Sequence, residues 1–575
     1  MCSSANCRTG SNVLSGGPLI AEHSISHLSD RHIRIENFDD GGLSTGPRRI
    51  EIYLPDGYDN TADRYPVIYF SDGGNVFSRP GSTMAVDTAY DSLIEEGLIE
   101  PAIFVAIGLT SWATRLESFT PTTERGGGLG GYYRFISELL KPYIDSRYRT
   151  KPEPESTGIG GYSSGGSAAF IMAYEHPETF GMAACMSPSL WSDREYSLKL
   201  LTGDTAEKKP IRFWLDAGGG EYGMWVNVMR AYALMEHLGW TPGDDLAAYF
   251  DYAANHNFEA AAGRMREPLR FLLRKEPLKL ESYRLVPAVD PQADKIDLGA
   301  PRRRIVGAEA WYANGHRLTV PQPGITIADP SIATVDDRDP IQLQGVKSGG
   351  TTISSTYQGH TASLPVIGCD PETAFHFLPC PRTDAVPKAD ECLAEAFELP
   401  YKIVNASQKT LARFGVWHDH QHVHIAVYVP TDLIVVESDK LPWQQDCIQI
   451  NFDARPKADL CDGTSCYDNA LSFLLNPSAQ GDRIKMYSPQ LVQWLPELRD
   501  GVQAACLETP DGYAAMLSIP SSYLHEMQGE PWQHFRLNVW TYRAEVPGGP
   551  IVETGWQPDW EKFKNPTGTG VFRRE

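Results

Sequence analysis

Residues 159–174 read Ile159-Gly160-Gly161-Tyr162-Ser163-Ser164-Gly165-Gly166-Ser167-Ala168-Ala169-Phe170-Ile171-Met172-Ala173-Tyr174. The pattern predicts a buried strand, a tight glycine turn and a helix, with Ser163 at the tip of the turn. Glycines two positions before and after the serine let strand and helix pack closely, which is typical of a nucleophile elbow. At the start of the helix, the N–H of Ser164 is available to stabilise an oxyanion. Ser163 is therefore the candidate nucleophile.

Strand and helix patterns alternate from residue 30 to residue 275. The strands are short apolar runs, such as 50–54 and 66–70, which is typical of strands buried on both faces of a sheet. Helical patterns lie between them, for example at 132–140. We predict an α/β domain with a mainly parallel sheet covered by helices on both sides.

The rest of the 575-residue chain is too long to belong to the same core. Residues 276–300 are rich in proline and charge and are predicted to be a linker. Residues 301–368 show short alternating strand patterns, as in a small β-sandwich. Residues 369–575 are also strand-rich and predict a second, larger β-sandwich. The fold class is therefore multidomain, an α/β-hydrolase domain at 30–275 followed by two β-sandwich domains.

A serine nucleophile needs a general base that is oriented by an acid, and α/β-hydrolases carry the acid and then the histidine after the serine. His176 follows the elbow helix and His237 lies inside a helical pattern. His256 lies in a polar break that suits a loop at the carboxyl ends of the strands. We predict that His256 is the base.

Two carboxylates compete for the role of the acid. Residues 211–221 read as a strand that runs into a glycine turn, with Asp216 on the strand and Glu221 beyond the glycines. Glu221 is favoured because it is positioned to reach an imidazole. Asp216 stays as the alternative, and its structural role would be to bind turn amides.

The loop after the strand that ends at Phe70 is the candidate for the second half of an oxyanion hole. It reads Ser71-Asp72-Gly73-Gly74-Asn75-Val76-Phe77. Glycines let backbone N–H groups approach a substrate carbonyl, so Gly74 or Asn75 is predicted to donate beside Ser164. A plain glycine turn is the alternative.

With these residues, the first domain resembles the esterase D / putative esterase family, which includes family-one carbohydrate esterases, siderophore esterases and mycolyltransferases. The resemblance rests on the elbow and on the motifs at 69–74, 115–121, 138–144 and 186–191. It implies Ser163 as nucleophile, Glu221 as acid and His256 as base. The family more often has Asp at the acid position.

The two later regions carry resemblances of their own. Residues 301–368 look like a bacterial Ig-like group 2 domain, through the motifs at 329–336 and 343–353. Residues 369–575 are similar to family-nine carbohydrate-binding modules and related DOMON-like sandwiches, in which two aromatic rings clamp a terminal sugar. The resemblance places Trp443 at the first ring and Phe563, instead of tryptophan, at the second. A sandwich that has lost its sugar is the alternative.

Composition and the positions of the cysteines limit which partners and which cellular compartment are expected. A net charge of −22 argues against a nucleic-acid partner, and no window of about 18 apolar residues predicts a membrane span. Seven of the ten cysteines fall in the last 207 residues without zinc-ligand spacing, which favours disulfides and an oxidising compartment. We expect an extracytoplasmic or secreted protein, although residues 1–34 lack the pattern of a secretory signal and a cytoplasmic location stays open.

These patterns and resemblances together predict a modular serine esterase. It is expected to cleave acyl or feruloyl esters on a polysaccharide, or another small ester, without a metal or an organic cofactor. A siderophore esterase or an acyltransferase on the same scaffold is the alternative within the enzyme class. An alternative of another class is a surface adhesion protein with an inactive hydrolase domain.

Overall fold

The computed structural model describes residues 24–575 with internal gaps. The gaps are 82, 113, 124–125, 219–220, 252–253, 255, 288–291, 300–305, 322, 337–341, 371–376, 387–397, 406–407, 438–441, 456–470, 489–492, 496–497, 530, 545, 547–548, 550 and 557–569.

Strands and helices alternate in the first part of the chain. The strands are β1 Ser24–His27, β2 His32–Phe38, β3 Arg48–Tyr53, β4 Val67–Phe70, β5 Ile103–Ile107, β6 Thr157–Tyr162, β7 Met182–Met186, β8 Arg212–Gly218 and β9 Leu246–Asp251. The helices are α1 Val86–Glu95, α2 Arg115–Phe119, α3 Leu129–Arg134, α4 Lys141–Arg147, α5 Ser164–Glu175, α6 Ser192–Thr202, α7 Tyr222–His237, α8 Phe258–Arg264 and α9 Arg266–Leu272. A π-helical segment, Phe135–Leu140, joins α3 to α4.

Six neighbouring strands of this part, in the order β5, β4, β6, β7, β8 and β9, are parallel. Successive residues of β4 point into two different cores: Val67 and Tyr69 into the core that includes α5 and α7, and Ile68 and Phe70 into the core that includes α1 and α9. The sheet is therefore covered on both faces, as predicted, and this part of the chain has an esterase-like hydrolase fold. The carboxyl ends of the parallel strands meet on one side, where functional residues of such sheets collect.

The described residues of the next part of the chain form nine further strands. They are β10 Leu280–Pro287, β11 Ile296–Asp297, β12 Val306–Tyr312, β13 Arg317–Val320, β14 Thr326–Ile327, β15 Ala333–Asp336, β16 Gln342–Gly345, β17 Gly349–Tyr357 and β18 His360–Gly368. Strand β13 pairs with β9 through Thr319 and Ala248, and β12 and β10 continue the same sheet outward. Strands β11, β18, β17 and β14 form a separate sheet, and β15 and β16 pair with each other.

The structure differs from the predicted linker at 276–300. Leu280–Pro287 is a strand that pairs with β12, and its residues Tyr283, Leu285 and Val286 are buried. The segment alternates polar and apolar side chains over part of its length, which is the pattern of a strand with one covered face. Its charges and the prolines around it hid that pattern. Residues before and after the predicted linker also pack in one hydrophobic core, for example Trp214 and Leu318.

Among the described residues of the last part of the chain, nearly all the regular elements are strands. They are β19 Leu378–Cys380, β20 Tyr401–Val404, β21 Thr410–His418, β22 His422–Pro430, β23 Cys447–Asp453, β24 Leu471–Leu475, β25 Ile484–Ser488, β26 Gln493–Leu495, β27 Gln503–Thr509, β28 Gly512–Pro520, β29 His534–Ala544, β30 Ile551–Gly555 and β31 Val571–Arg574, with one helix, α10 Ser521–Gln528. One sheet has the order β19, β31, β29, β23, β24, β25, β26, with β30 beside β29, and the other has the order β20, β21, β22, β28, β27. Both sheets contribute to one core, for example Val539 from the first and Leu517 from the second.

Two of the C-terminal cysteines do not form the predicted disulfides. Cys380 and Cys506 are buried in β19 and β27 as free thiols. Burial raises the pKa of the Cys506 thiol well above its ordinary value, so it is not reactive at neutral pH. Cys392, Cys461 and Cys466 lie outside the described residues.

Candidate active site

Ser163 lies in a tight turn between β6 and α5. Its backbone has φ 59° and ψ −123°, a conformation that residues with a side chain rarely adopt. A Cβ on Gly161 would lie 2.4 Å from the carbonyl oxygen of Gly165, so strand and helix can approach this closely only with glycine at 161. The N–H of Ser163 donates to the carbonyl of Met186 on β7 at 3.0 Å, which fixes the turn. The predicted strand, turn and helix are confirmed.

The structure brings His256 and Glu221 to Ser163. The Nε2 atom of His256 lies 3.0 Å from the Oγ of Ser163, and its Nδ1 atom lies 3.2 Å from the Oε1 of Glu221. The ring of Tyr162 stacks on the imidazole at 4.8 Å and 25°. With the proton on Nδ1, His256 donates to Glu221 and accepts from the Ser163 hydroxyl. This arrangement can remove the serine proton and stabilise the imidazolium that results.

The position of His256 follows from the elements around it. It lies in the loop between β9 and α8, at the carboxyl end of the last parallel strand. Asn257 caps α8 by accepting from the N–H of Ala260 at 2.8 Å, so the helix begins directly after the histidine. The cap therefore fixes the end of the loop that follows His256.

Glu221 is a fully buried carboxylate at the start of α7. Its Oε2 accepts from the N–H of Gly218 at 3.1 Å, and its Oε1 accepts from the hydroxyl of Tyr162 at 3.4 Å. Burial raises the pKa of Glu221, but the hydrogen bond from His256 and the charges of His256 and Arg264 outweigh burial and hold it below its ordinary value. Glu221 is therefore ionised at neutral pH, as an orienting acid must be.

Asp216, the alternative acid, is occupied elsewhere. It accepts from the N–H of Ser187 at 3.0 Å, from the Nε1–H of Trp214 at 2.8 Å and from the Nε–H of Arg264 at 2.9 Å. Burial raises its pKa above the ordinary value although these donors oppose the shift. The geometry favours Glu221 as the partner of His256 and gives Asp216 a structural role.

Arg264 connects the two buried acids. Its side chain is 1% exposed, and its Nη2 lies 3.7 Å from the Oε1 of Glu221 while Nε is bound to Asp216. It also donates to the hydroxyl of Ser187. A charged residue at a buried helical position requires an ionic partner, so an arginine between the buried residues Ala261 and Met265 was a signal that the sequence analysis missed.

The two predicted oxyanion donors of the loop after β4 are not equivalent. The N–H of Asn75 donates to the carbonyl of Asp72 at 2.7 Å, so the turn itself uses this donor. No acceptor is found for the N–H of Gly74 among the described residues. Ser164 is the first residue of α5, where backbone N–H groups lack acceptors within the helix. Gly74 and Ser164 thus remain the candidate pair, and Asn75 does not.

Arg115 ties this loop to the elbow. It holds both oxygens of Asp72, at 2.7 and 2.6 Å, and donates to the carbonyl of Tyr162 at 3.1 Å. The residue before the nucleophile and the loop with Gly74 are therefore held by one guanidinium. In the sequence, residues 115–121 carried only a family motif, and this role of Arg115 was not predicted.

Trp443 and Phe563 are the predicted aromatic residues of the C-terminal region. They lie far in sequence from Ser163, His256 and Glu221. Trp443 lies in the 3-10 turn Pro442–Gln444 and is 36% exposed. The Nδ2 of Asn476 donates to the carbonyls of Pro442 and Asp446 at 3.0 and 2.8 Å, which anchors the turn. Phe563, the predicted second ring, lies outside the described residues.

Among the described residues, no three His, Cys, Asp or Glu side chains come together in a way that could hold a metal ion. No helix formed by them is long and apolar enough to cross a membrane.

Exchanging the two acids for amides separates their roles. Asp216→Asn is expected to lower the free energy of unfolding by about 3 kcal/mol, because it leaves the buried Arg264 without its full partner. Glu221→Gln is expected to lower kcat by about 10²- to 10⁴-fold with a much smaller change in stability. Urea denaturation and ester hydrolysis of both variants check this. The reverse pattern would assign the acid to Asp216.

The first part of the chain is similar to known esterases. Residues 44–241 match a family model described as "Putative esterase". The ferri-bacillibactin esterase BesA of Bacillus subtilis is 29% identical over 176 residues, which are 27% of this chain and 59% of that protein. The endo-1,4-beta-xylanase/feruloyl esterase of Xylanibacter ruminicola is 30% identical over 178 residues, 30% of this chain and 23% of that protein. A solved ferulic acid esterase aligns with 16% identity and a TM-score of 0.33, covering 42% of this chain and 98% of that one.

These similarities concern the esterase region alone. The chain spans less than two thirds of each of the two curated relatives. The family match and the relatives support an ester hydrolase. They cover neither the Ig-like nor the carbohydrate-module resemblance, and the two relatives differ in the esters that their names state.

Proposed function

We propose that this protein is a serine esterase that hydrolyses acyl esters through an acyl-enzyme on Ser163. The observation that carries the proposal is the line of hydrogen bonds from Ser163 through His256 to Glu221, with distances of 3.0 and 3.2 Å. The match of residues 44–241 to an esterase model supports it. So does the strained backbone of Ser163, because such strain collects at functional residues.

In the proposed mechanism, the Oγ of Ser163 attacks the ester carbonyl carbon while its proton passes to the Nε2 of His256. The carbonyl oxygen becomes an oxyanion, which the N–H groups of Ser164 and Gly74 stabilise. Collapse of this intermediate breaks the bond to the alcohol, which takes the proton from His256. Water then attacks the acyl-enzyme by the same sequence and releases the acid. Glu221 keeps the imidazole in the required tautomer and stays ionised throughout.

For the substrate, we propose acyl or feruloyl esters on a polysaccharide. The name of the Xylanibacter relative, which includes feruloyl esterase, supports this class. The exposed Trp443 supports a sugar contact because an indole face fits the apolar C–H face of a sugar ring. A siderophore ester is the second candidate, which the name of the Bacillus relative favours.

We further propose that residues 369–575 act as a carbohydrate-binding module and that residues 301–368 derive from an Ig-like domain. An extracytoplasmic location fits both proposals, because a polysaccharide substrate lies outside the cell. Strands β12 and β13 of the Ig-like region belong to the hydrolase sheet, so this region does not act as a loose spacer.

Hydrolysis of p-nitrophenyl acetate, methyl ferulate, acetylated xylan and a catecholate siderophore by the full chain tests the function. The proposal expects activity on the first compound and a higher kcat/KM on one of the polysaccharide-type esters. A preference for the siderophore ester would transfer the assignment to the second candidate. No hydrolysis of any of them would favour an inactive hydrolase domain.

Replacing Trp443 with alanine is expected to abolish retention of the full chain on a polysaccharide that the wild type binds. The hydrolysis rate on a small soluble ester should not change, because Ser163, His256 and Glu221 all lie before residue 276. Trp311→Ala is the matched control, because Trp311 is exposed to a similar degree, 40%, but lies on β12. Affinity electrophoresis against xylan, cellulose and algal glycans measures the retention. If the wild type is retarded by none of them, the carbohydrate part of the proposal is wrong.

A further inference from the structure

A cavity of about 410 Å³ opens beside the loop that carries Gly74. Its lining includes Arg49 from β3, Gly74 and Asn75 from the loop after β4, and Trp112 from the loop after β5. Asp72, also in the lining, is bound to Arg115, which in turn contacts the backbone of the residue before Ser163. The cavity therefore borders Gly74, one of the two candidate oxyanion donors.

The lining of this cavity suits a ligand rich in hydroxyl groups. Asn75 presents an amide and Ser111 a hydroxyl, which both donate and accept hydrogen bonds. The Thr110 hydroxyl is bonded to those of Thr45 and Thr114, and the Ser111 hydroxyl also contacts Thr114. Trp112 is 64% exposed, the largest exposure among the large hydrophobic side chains of the described residues. The guanidinium of Arg115 lies over this ring, 5.4 Å from its centroid. The remaining exposed indole surface, next to polar groups, is a platform for a sugar ring. An apolar acyl chain would gain little from such a lining.

Arg49, the basic residue in the cavity lining, belongs to a cluster of basic side chains around Glu51. The buried carboxylate of Glu51 receives three guanidinium groups, from Arg34, Arg49 and Arg79, each at 3.2 Å, and the imidazole of His32 at 2.8 Å. Burial raises the pKa of Glu51, but the hydrogen bond from His32 and the three arginines lower it to about 2. One carboxylate cannot neutralise three guanidinium groups, so positive charge remains.

Arg49 is the member of this cluster that reaches the cavity. Its Nε is bound to Glu51, and its Nη2 lies 3.6 Å from the position that a Cβ would take on Gly74. Two acidic groups also line the cavity. Asp72 is neutralised by Arg115, and Glu36 lies 3.9 Å from Arg34. The four guanidinium groups of Arg34, Arg49, Arg79 and Arg115 thus exceed the three carboxylates of Glu36, Glu51 and Asp72 by one charge. Of the four, Arg49 is the one that lines the cavity.

We propose that this cavity binds an acidic sugar in the alcohol part of the ester, with Arg49 as the partner of its carboxylate and Trp112 as the platform for its ring. This inference rests on the proposed function and names the substrate class more closely. Guanidinium and carboxylate form strong, charge-assisted hydrogen bonds with a fixed geometry. An acidic sugar at Arg49 would lie next to Gly74, close to the ester bond that Ser163 attacks. Arg49 would then select acidic over neutral glycan esters.

Binding without turnover tests the inference. The full chain with Ser163→Ala is titrated calorimetrically with xylotetraose that carries one glucuronic acid and, in parallel, with plain xylotetraose. We expect the acidic oligosaccharide to bind at least about tenfold more tightly, and Arg49→Gln in the same background to remove this difference. Arg34→Gln is the matched control. Like Arg49→Gln, it removes one positive charge that is paired with Glu51. Arg34 lies outside the cavity lining, so the preference for the acidic oligosaccharide should persist. Trp112→Ala should weaken both ligands.

Three results would overturn the inference: equal binding of the two oligosaccharides, binding of neither, or equal loss of preference in Arg34→Gln and Arg49→Gln. The last would indicate only a general effect of charge. Failure of the proposed function has a different signature. It would appear as p-nitrophenyl acetate hydrolysis that is absent from the wild type or unchanged by Ser163→Ala, whatever the calorimetry shows.

Discussion

Ser163→Ala is expected to lower kcat/KM for p-nitrophenyl acetate by about 10⁴-fold or more while the protein keeps its melting temperature. The loss follows because no acyl-enzyme can form without the Oγ that lies 3.0 Å from His256. Alanine has a Cβ like serine and is under the same backbone strain at φ 59°, so the turn itself should survive. Initial rates and thermal unfolding of the two proteins check this.

Ser167→Ala is the matched control for that variant. Ser167 lies four residues further along, within α5, and its buried Oγ has no hydrogen-bond partner among the described residues. Its removal should leave the rate nearly unchanged. Turnover in Ser163→Ala that matches the wild type would refute the assignment of the nucleophile.

The second large effect is expected for His256→Ala, with a loss about as great as that of Ser163→Ala. Residues of a catalytic triad act as a unit, so combining the two substitutions should cost little beyond either one. His176→Ala provides the control, because that ring stacks on Tyr133 at 3.5 Å and should not matter to the rate. A double variant with multiplied losses would show that His256 acts in a separate step.

Local pattern was enough to predict two residues, Ser163 and His256, that the structure brings within 3.0 Å of each other. Their roles as nucleophile and base stay predictions. Ser163 lies between glycines that a tight strand–turn–helix requires. His256 follows the serine in the chain and lies in a polar loop. The choice between Asp216 and Glu221 depends instead on Arg264, which lies 48 residues beyond Asp216 in the chain and binds it in the core. A contact between such distant residues leaves no local pattern. The two acids therefore looked similar in the sequence.

Two other differences have equally specific causes. The N–H of Asn75 is used inside its own 3-10 turn, and a glycine-rich loop sequence does not show which of its amides the turn consumes. Strand β10 was hidden because charges interrupt its alternation and prolines flank it. What holds it in place is its pairing with β12. An apolar run is visible within one segment of sequence. The strand with which that segment pairs is not.

The pairing of β13 with β9 limits where the chain can be truncated. The Oγ1 of Thr319 accepts from the N–H of Phe250 at 3.0 Å, and the Nη2 of Arg317 donates to the carbonyl of the same residue at 3.4 Å. A chain ended at residue 275 would leave β9 as an unprotected sheet edge, and such edges recruit strands from other molecules. The same strand leads into the loop of His256. We therefore expect that a soluble catalytic fragment must extend at least through β13, and that a shorter one aggregates before its chemistry can be measured.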